Sequence, residues 1–227
     1  MKGIHVRLEA LSAAYPYPFL KSGTILTLPA PPFSNVLGNL SACAGRPVGP
    51  EETRIGLEFE SISKALDLER TRRLQMNNKS GRLSANREQG LALRQFHVNP
   101  RLDLYLTNLD FERSFYAPAT APCLGRSQDI GWISFVRQIE LVPVAEGKLG
   151  PTLVRFPNLQ TGGQILPPLA DYFLNDRPGR VRTIGRLSRY QFVPRDSPVQ
   201  SSNDFDLFHP DDSERTDHVV VMHRLTS

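Results

Sequence analysis

Short segments in which apolar and polar residues alternate recur along the chain and predict β-strands. The first runs from Gly3 to Leu11, where apolar residues at every second position oppose His5, Arg7 and Glu9. Because successive side chains of a strand point to opposite faces of a sheet, each such segment should bury one face. Further strands are predicted at Ile55 to Glu60, Leu102 to Thr107, Gln138 to Val144 and His218 to Leu225.

One stretch, Pro32 to Gly45, has the spacing of a helix instead. Its apolar residues at i, i+3, i+4, i+7 and i+11 line one face, namely Phe33, Val36, Leu37, Leu40 and Ala44. Ser34 and Asn35 are the predicted N-caps, and Gly45 suits the C-terminal cap. A second, short helix is predicted near Gln128 to Val136, with Trp132 in the core.

The order of these elements predicts an α+β protein with helices on one face of a sheet. A ferredoxin-like arrangement is the simplest way to close strand, helix, strand, strand, helix and strand. The polar stretch from Asp67 to Arg94 does not fit the ferredoxin-like arrangement. Its NNKSG sequence, at Asn77 to Gly81, is a strong turn signal. We therefore expect a hairpin or a disordered tongue that projects from the sheet.

Charge is distributed unevenly over the 227 residues. The net charge is +4, yet Lys64 to Arg101 alone holds nine basic and three acidic residues, a local +6, which leaves −2 for the rest. Arg177 to Arg195 contains six arginines and no acid, and Asp204 to Asp217 contains six acids against one arginine. Two basic blocks on a nearly neutral scaffold indicate a surface that binds phosphate.

Composition fits a globular protein, with 40% hydrophobic and 22% charged residues. No apolar run approaches the roughly eighteen residues of a membrane span, and the first ten residues lack the apolar stretch of a signal peptide, so we expect a cytoplasmic protein. Cys43 and Cys123 show no metal-ligand spacing and are expected to be buried free thiols. No cofactor or metal site is predicted.

A second short motif is informative when it is considered together with the helix. Pro122 to Ser127 reads PCLGRS and precedes an apolar segment, Ile130 to Ile133. The succession of an alternating strand, a proline-rich loop at Tyr15 to Pro18, the PPFSNVLGNLSACAG helix and this turn resembles CRISPR-associated protein family five. That family caps the 5′ end of the guide RNA in Cascade-type complexes. The resemblance covers about residues 1–145.

The resemblance implies an RNA-recognition-like palm with a projecting basic β-hairpin thumb. It implies a single domain, 1–227, with the thumb at about 64–98 and a proline-rich, strand-containing part at about 146–227. The implied partners are the 5′ handle of the guide RNA, a repeated backbone subunit contacted through the thumb, and a large subunit. Target DNA would be an indirect partner, no membrane would be involved, and the role would be antiviral defence.

The candidate RNA contacts combine aromatic rings, helix N-terminal donors and basic side chains. Rings beside cations suit splayed single-stranded bases, and helix N-termini favour phosphate. The predicted contacts are Tyr15, Tyr17, Lys21, Ser34, Asn35, Arg46, Arg70, Arg72, Arg73, Lys79, Arg82, Arg87, Arg94, Arg126 and Ser127. Two alternatives stay open: the loop aromatics could pack on the core, and Ser127 could cap the following helix.

Catalysis is the competing functional hypothesis. One branch of the resembled family cleaves RNA with a tyrosine and an adjacent lysine–histidine pair, but this chain has no Lys-His dipeptide. His97, three residues after Arg94, could be combined with Tyr15 as a metal-independent ribonuclease site. Its apolar neighbours favour a histidine on a strand entering the core, so we expect a non-catalytic subunit. A guide-processing endoribonuclease and a stand-alone RNA-binding protein are the alternatives.

Overall fold

A computed structural model describes residues 1–19, 23–77, 80–158, 160–174, 182–202 and 206–226, with the backbone alone at 71–73 and 85–89. The helices are α1 (Phe33–Ala44) and α2 (Phe111–Tyr116). The strands are β1 (Lys2–Ala10), β2 (Ser12–Ala13), β3 (Thr24–Ile25), β4 (Ile55–Glu60), β5 (Ser63–Met76), β6 (Leu83–Val98), β7 (Arg101–Leu106), β8 (Gly131–Val144), β9 (Glu146–Leu149), β10 (Thr152–Arg155), β11 (Gln164–Ile165), β12 (Leu169–Leu174), β13 (Thr183–Ser188), β14 (Tyr190–Val193), β15 (Ser197–Gln200), β16 (Leu207–Pro210) and β17 (His218–Val221).

The centre of the molecule is an eight-stranded sheet in the order β15-β9-β17-β16-β8-β1-β7-β4. β1 pairs antiparallel with both β7 and β8, and β4 pairs antiparallel with β7. The four strands β8-β1-β7-β4 and the two helices follow the chain as strand, helix, strand, strand, helix, strand. The predicted α+β class is therefore confirmed in coarse form, although strands dominate the protein.

The sheet curls until its outer strand β4 meets the segment that follows β17. Ile55 at the start of the outer strand β4 exchanges backbone hydrogen bonds with His223, just after β17. One face carries the main core, in which Ile4, Val6 and Leu8 pack with residues of α1. The opposite face carries a smaller apolar cluster that includes Tyr105, Ile139, Leu141, Phe208, Val220 and Met222.

Helix α1 forms where its periodicity predicts, but only its C-terminal cap is the residue that was predicted. Gly45 ends the helix in the left-handed conformation at φ 68°, where a residue with a Cβ is strained. The N-cap is Pro32 and has no side-chain cap bond, so the prediction that Ser34 or Asn35 caps the helix is wrong. Both residues lie inside the first turn because proline, lacking an N–H, suits a helix start.

The helix predicted at Gln128 to Val136 is wrong, because β8 occupies most of this stretch. Nine residues of β1, from Lys2 to Ala10, pair with β8, and this long ladder outweighs the local helical spacing. The short second helix is α2, packed against α1 and β8. Trp132 is also misplaced by the prediction: its side chain is half exposed and its Nε1 donates to Glu9 at 3.3 Å.

The remaining strands form smaller sheets, β10-β14-β11 and β12-β13, while β2 and β3 flank β6. Cys43 is buried as expected, whereas Cys123 is only half-buried, and both are free thiols. Among the described residues, no helix is long and apolar enough to cross a membrane. The same residues contain no cluster of histidine, cysteine and carboxylate side chains that could hold a metal ion.

Candidate RNA interface

The basic insertion is a long two-stranded hairpin, which we call the thumb (β5 and β6). Its strands are paired from Ser63↔Val98 at the sheet to Met76↔Leu83 near the tip, with one irregularity between Arg72 and Leu74. Of the two structures expected for this insertion, the hairpin is the one observed.

The two faces of the thumb differ in character. Cross-strand partners share a face, and Leu68 lies opposite Leu93 while Arg70 lies opposite Leu91. With Leu66, these leucines form an exposed apolar surface, the leucine face (Leu66, Leu68, Leu91 and Leu93), whose members are 44–66% exposed. Leucines exposed together on a two-stranded hairpin indicate a protein contact, because water solvates such a surface unfavourably.

The opposite face of the thumb turns toward the body of the protein. Glu69 there binds the guanidinium groups of Arg94, on the neighbouring strand, and Arg126, in the PCLGRS turn. The ring of Phe96 lies 5.8 Å from the Arg126 guanidinium carbon. The thumb is therefore joined to the turn by a charge cluster at its base.

The PCLGRS turn is held against the start of the chain through its backbone. Gly125 has φ 113°, and a Cβ on it would lie 2.0 Å from the carbonyl oxygen of Ala14. The Ala14 N–H donates to the Leu124 carbonyl at 3.1 Å. Glycine is thus required here, but the backbone that approaches it is the protein's own.

Arg126 is a half-buried structural arginine in this arrangement. Its guanidinium donates to both carboxylate oxygens of Asp129, at 2.9 and 2.8 Å, and the Asp129 carboxylate is fully buried. Burial alone would raise the pKa of Asp129, but the bonds from Arg126 and Ser12 outweigh it and lower that pKa. The donors predicted for RNA phosphate are already engaged.

Ser127 lies at the exposed tip of the same turn. The chain continues into β8 rather than into a helix, so the capping role considered for Ser127 is excluded. Ser34 and Asn35 are half-buried in the first turn of α1. Arg46 lies beyond the other end of that helix, roughly 18 Å away at 1.5 Å per residue.

The proline-rich loop divides its aromatic residues between core and surface. Tyr15 is 2% exposed, its ring packs edge-on against Phe59, and burial raises the pKa of its hydroxyl. Stacking on a base is therefore wrong for Tyr15, which is a core residue. Tyr17 is half-buried and its hydroxyl accepts a hydrogen bond from Gln164 at 2.8 Å, whereas Phe19 is 77% exposed.

Apart from Arg126, the predicted basic contacts fall into four groups. Arg70 and Arg82 are exposed on the thumb. Arg46 is bidentate to Glu52 and Arg94 is bound to Glu69, so carboxylates balance the charges of Arg46 and Arg94. Arg72, Arg73 and Arg87 lie in the thumb strands, with side chains outside the described part of the structure. Lys21 and Lys79 lie outside the described residues.

His97 is a buried structural histidine. Its Nε2 bonds to the Leu28 carbonyl at 2.8 Å and its Nδ1 to the Ser61 hydroxyl at 2.9 Å, so both ring nitrogens are occupied. Burial, with a smaller contribution from the charge of Lys64, lowers its pKa to about 4. Strand pairing places Lys64 opposite His97, so a lysine lies beside this histidine although the two residues are not adjacent in the sequence.

Three segments distant in sequence meet at the base of the thumb. β3, which follows the proline-rich loop in the chain, pairs with β6 at Leu93 and Arg94, and the PCLGRS turn reaches Glu69. Phe19 and Ser127, which belong to or precede the segments that meet here, are exposed, whereas Arg70 lies on the leucine face of the thumb. An exposed aromatic ring and an exposed hydroxyl in segments next to a basic hairpin suit recognition of a flexible single strand.

Sequence reasoning missed two features of this interface. The leucine face was overlooked because Arg70 interrupts the alternation of Leu66 and Leu68, and Leu91 and Leu93 complete it only across the strand pair. Glu69, which binds both Arg94 and Arg126, lies 57 residues before the latter. The proximity of Asp129 to Arg126 was the one signal visible locally.

No protein-family model matches the sequence, and neither does any protein of curated function. Solved structures do share its fold. A chain of a CRISPR RNA-guided surveillance complex superposes with a TM-score of 0.57 at 16% identity, over 89% of this chain and 95% of that one. A CRISPR protein from Archaeoglobus fulgidus superposes with a TM-score of 0.53 at 10% identity, over 98% of this chain and all of that one. The protein therefore shares its fold with these two CRISPR proteins.

Proposed function

We propose that the chain is a non-catalytic, RNA-binding subunit of a type I CRISPR surveillance complex that holds the 5′ handle of the guide RNA. The observation that carries the proposal is the fold shared with a chain of an RNA-guided surveillance complex over almost the whole length of both. The basic thumb and the meeting of three segments at its base support RNA as the ligand.

The thumb supports a place inside a larger assembly. Its leucine face exposes four leucines that the protein itself leaves uncovered, while its arginines suit RNA phosphates. If a repeated backbone subunit covers the leucine face, the edges and the tip of the thumb stay accessible to the RNA. The large subunit, and target DNA through it, would be the further partners in antiviral defence.

The proposal that the chain is non-catalytic rests on the burial of His97 and Tyr15 and on the hydrogen bonds of the His97 ring. A general base must reach the 2′-hydroxyl whose proton it removes. His97 is 1% exposed with both ring nitrogens bonded, and the Tyr15 hydroxyl is buried beside the core. Neither group reaches solvent in this conformation, which favours binding over the endoribonuclease alternative.

The test is to incubate the purified chain with repeat-derived RNA in excess chelator and to measure binding and cleavage in the same samples. We expect retention of RNA fragments that carry the 5′ handle and no change in RNA length over hours. A defined 5′-handle product that disappears in His97→Gln would replace this proposal with the nuclease.

A further inference from the structure

The face of the eight-stranded sheet away from α1 contains a polar cleft of about 630 Å³, which we call the mouth. Strands β1, β4, β7 and β8 form its floor, and residues between 212 and 218, in the connection before and into β17, form one wall. It is separate from the thumb and from the PCLGRS turn. Partly closed sheets commonly bind ligands at such openings, and this volume is within the usual range for a small molecule.

Aromatic rings form the centre of the floor. The imidazole of His5 stacks on the Tyr105 ring with centroids 4.4 Å apart and meets the Phe135 ring edge-on at 4.7 Å. Two guanidinium groups lie over Phe135, with carbon-to-centroid distances of 5.2 Å for Arg7 and 5.7 Å for Arg137. Stacking on the ring fixes the position of both cations before any ligand arrives.

Both guanidiniums retain donors for a ligand. Arg7 uses only its Nε, which donates to Asp103 at 2.8 Å, so its terminal amino groups donate to no other described residue. Arg137 is exposed over the Phe135 ring and donates no hydrogen bond to a described residue, although its charge helps to lower the pKa of the Asp212 carboxyl. Two fixed cations with free donors are the usual requirement for holding a phosphate group.

The nearby carboxylates do not cancel this positive charge. His5 bonds to Asp103 at 2.9 Å and to Asp212 at 2.7 Å. Burial alone would lower the pKa of His5, but these two carboxylates outweigh it and raise the pKa, which favours the imidazolium. Asp103 also faces Arg101 at 3.1 Å as well as Arg7. Asp103 is therefore shared among His5, Arg7 and Arg101, and Asp212 between His5 and Arg137, so two carboxylates serve four cations.

We propose that the mouth binds a small phosphate-bearing ligand of nucleotide size, with the phosphate between Arg7 and Arg137. The cleft is larger than a bare phosphate needs, and the exposed Glu214 on its wall can accept hydrogen bonds from sugar hydroxyls. The ligand is either a free nucleotide or the phosphorylated end of an RNA strand. The site depends on the mouth alone and does not require the guide RNA proposed above.

The experiment measures calorimetric binding of four probes to the full chain in phosphate-free buffer. The probes are inorganic pyrophosphate, ADP, a 5′-phosphorylated hexaribonucleotide and the same hexamer with a 5′-hydroxyl. The variant is Arg137→Gln, which removes an exposed cation and should leave the fold intact. The matched control is Arg113→Gln, which removes an exposed arginine of α2 outside the mouth.

We expect one-to-one binding of at least one phosphate-bearing probe, weakened at least about tenfold by Arg137→Gln and hardly by Arg113→Gln. Binding of ADP identifies a free nucleotide as the source. Binding of the phosphorylated hexamer alone, well above the 5′-hydroxyl hexamer, identifies an RNA end. The proposal is overturned if no phosphate-bearing probe binds, or if Arg137→Gln binds as tightly as the wild type. Failure of guide-RNA binding would leave these outcomes unaffected.

Discussion

Arg126 shows how a residue that reads as a ligand contact can be structural. From the sequence alone, Arg126 is predicted to be a cation in an exposed turn that contacts RNA. In the structure its guanidinium neutralises the buried Asp129 and reaches Glu69 on the thumb. Removing one partner of such a pair is costly because the other charge stays buried and uncompensated.

We therefore predict that Arg126→Ala lowers the free energy of unfolding by about 3 kcal/mol. Arg46→Ala is the matched control, because Arg46 makes a similar bidentate pair with Glu52 on the exposed surface and should change stability far less. Urea denaturation of the two variants measures the difference. Equal stability of Arg126→Ala and wild type, with weakened RNA binding, would restore the sequence-based interpretation.

The buried histidines predict the loss of stability in mild acid. Burial, with a smaller contribution from the charge of Arg155, lowers the pKa of His223 to about 4, the same value as His97. A histidine in the unfolded chain has a pKa near 6.5, so the unfolded state takes up protons first. Each residue then contributes stability that is complete above about pH 6.5 and is lost as the pH falls toward 4.

The expected loss is about 3 kcal/mol for each histidine, from a pKa shift of roughly 2.5 units. We predict that His97→Gln loses less stability than wild type between pH 7 and pH 4. Denaturation curves at both pH values give the comparison. His5→Gln is a useful contrast, because a raised pKa contributes stability at low pH instead. Identical acid losses in wild type and His97→Gln would contradict the account.

The elements were predictable where the local pattern and the tertiary structure agree. Helix α1 has apolar residues at helical spacing through most of its length and no competing pairing. The segment with Ile130, Ile133 and Val136 also has near-helical spacing, yet most of it forms the start of β8 because it pairs with β1. For the thumb, the turn signal predicted a hairpin, but its leucine face depends on which residues pair across the strands. That register is not visible in either strand alone.

At the scale of this element, we predict that Leu68→Glu prevents assembly without unfolding the chain. Leu68 is 60% exposed, so the substitution adds a charge to a surface that water already reaches, and the melting temperature should change little. The control is Leu11→Glu, at a leucine 73% exposed outside the thumb. Size-exclusion chromatography with guide RNA and the partner subunits reads out assembly. The same elution for both variants would exclude the leucine face as an interface.

The whole molecule is the scale at which sequence reasoning was weakest. The curled sheet places Ile55 beside His223, although these residues are 168 positions apart in the chain. The mouth likewise contains side chains from four strands and from the stretch between 212 and 218. Each of these residues is unremarkable in its own segment, and only the complete topology places them together. The fold class and the thumb followed from local pattern; the mouth could not.

The central claim is that this chain holds the 5′ handle of a guide RNA within a CRISPR complex. The most direct measurement is to purify the tagged full chain from its native cells under mild conditions and to sequence the 5′ ends of the RNA that comes with it. The account predicts one dominant class of RNA, with a repeat-derived 5′ end of uniform position followed by varied spacer sequence. RNA without repeat-derived 5′ ends, or no RNA above an untagged control, would contradict it.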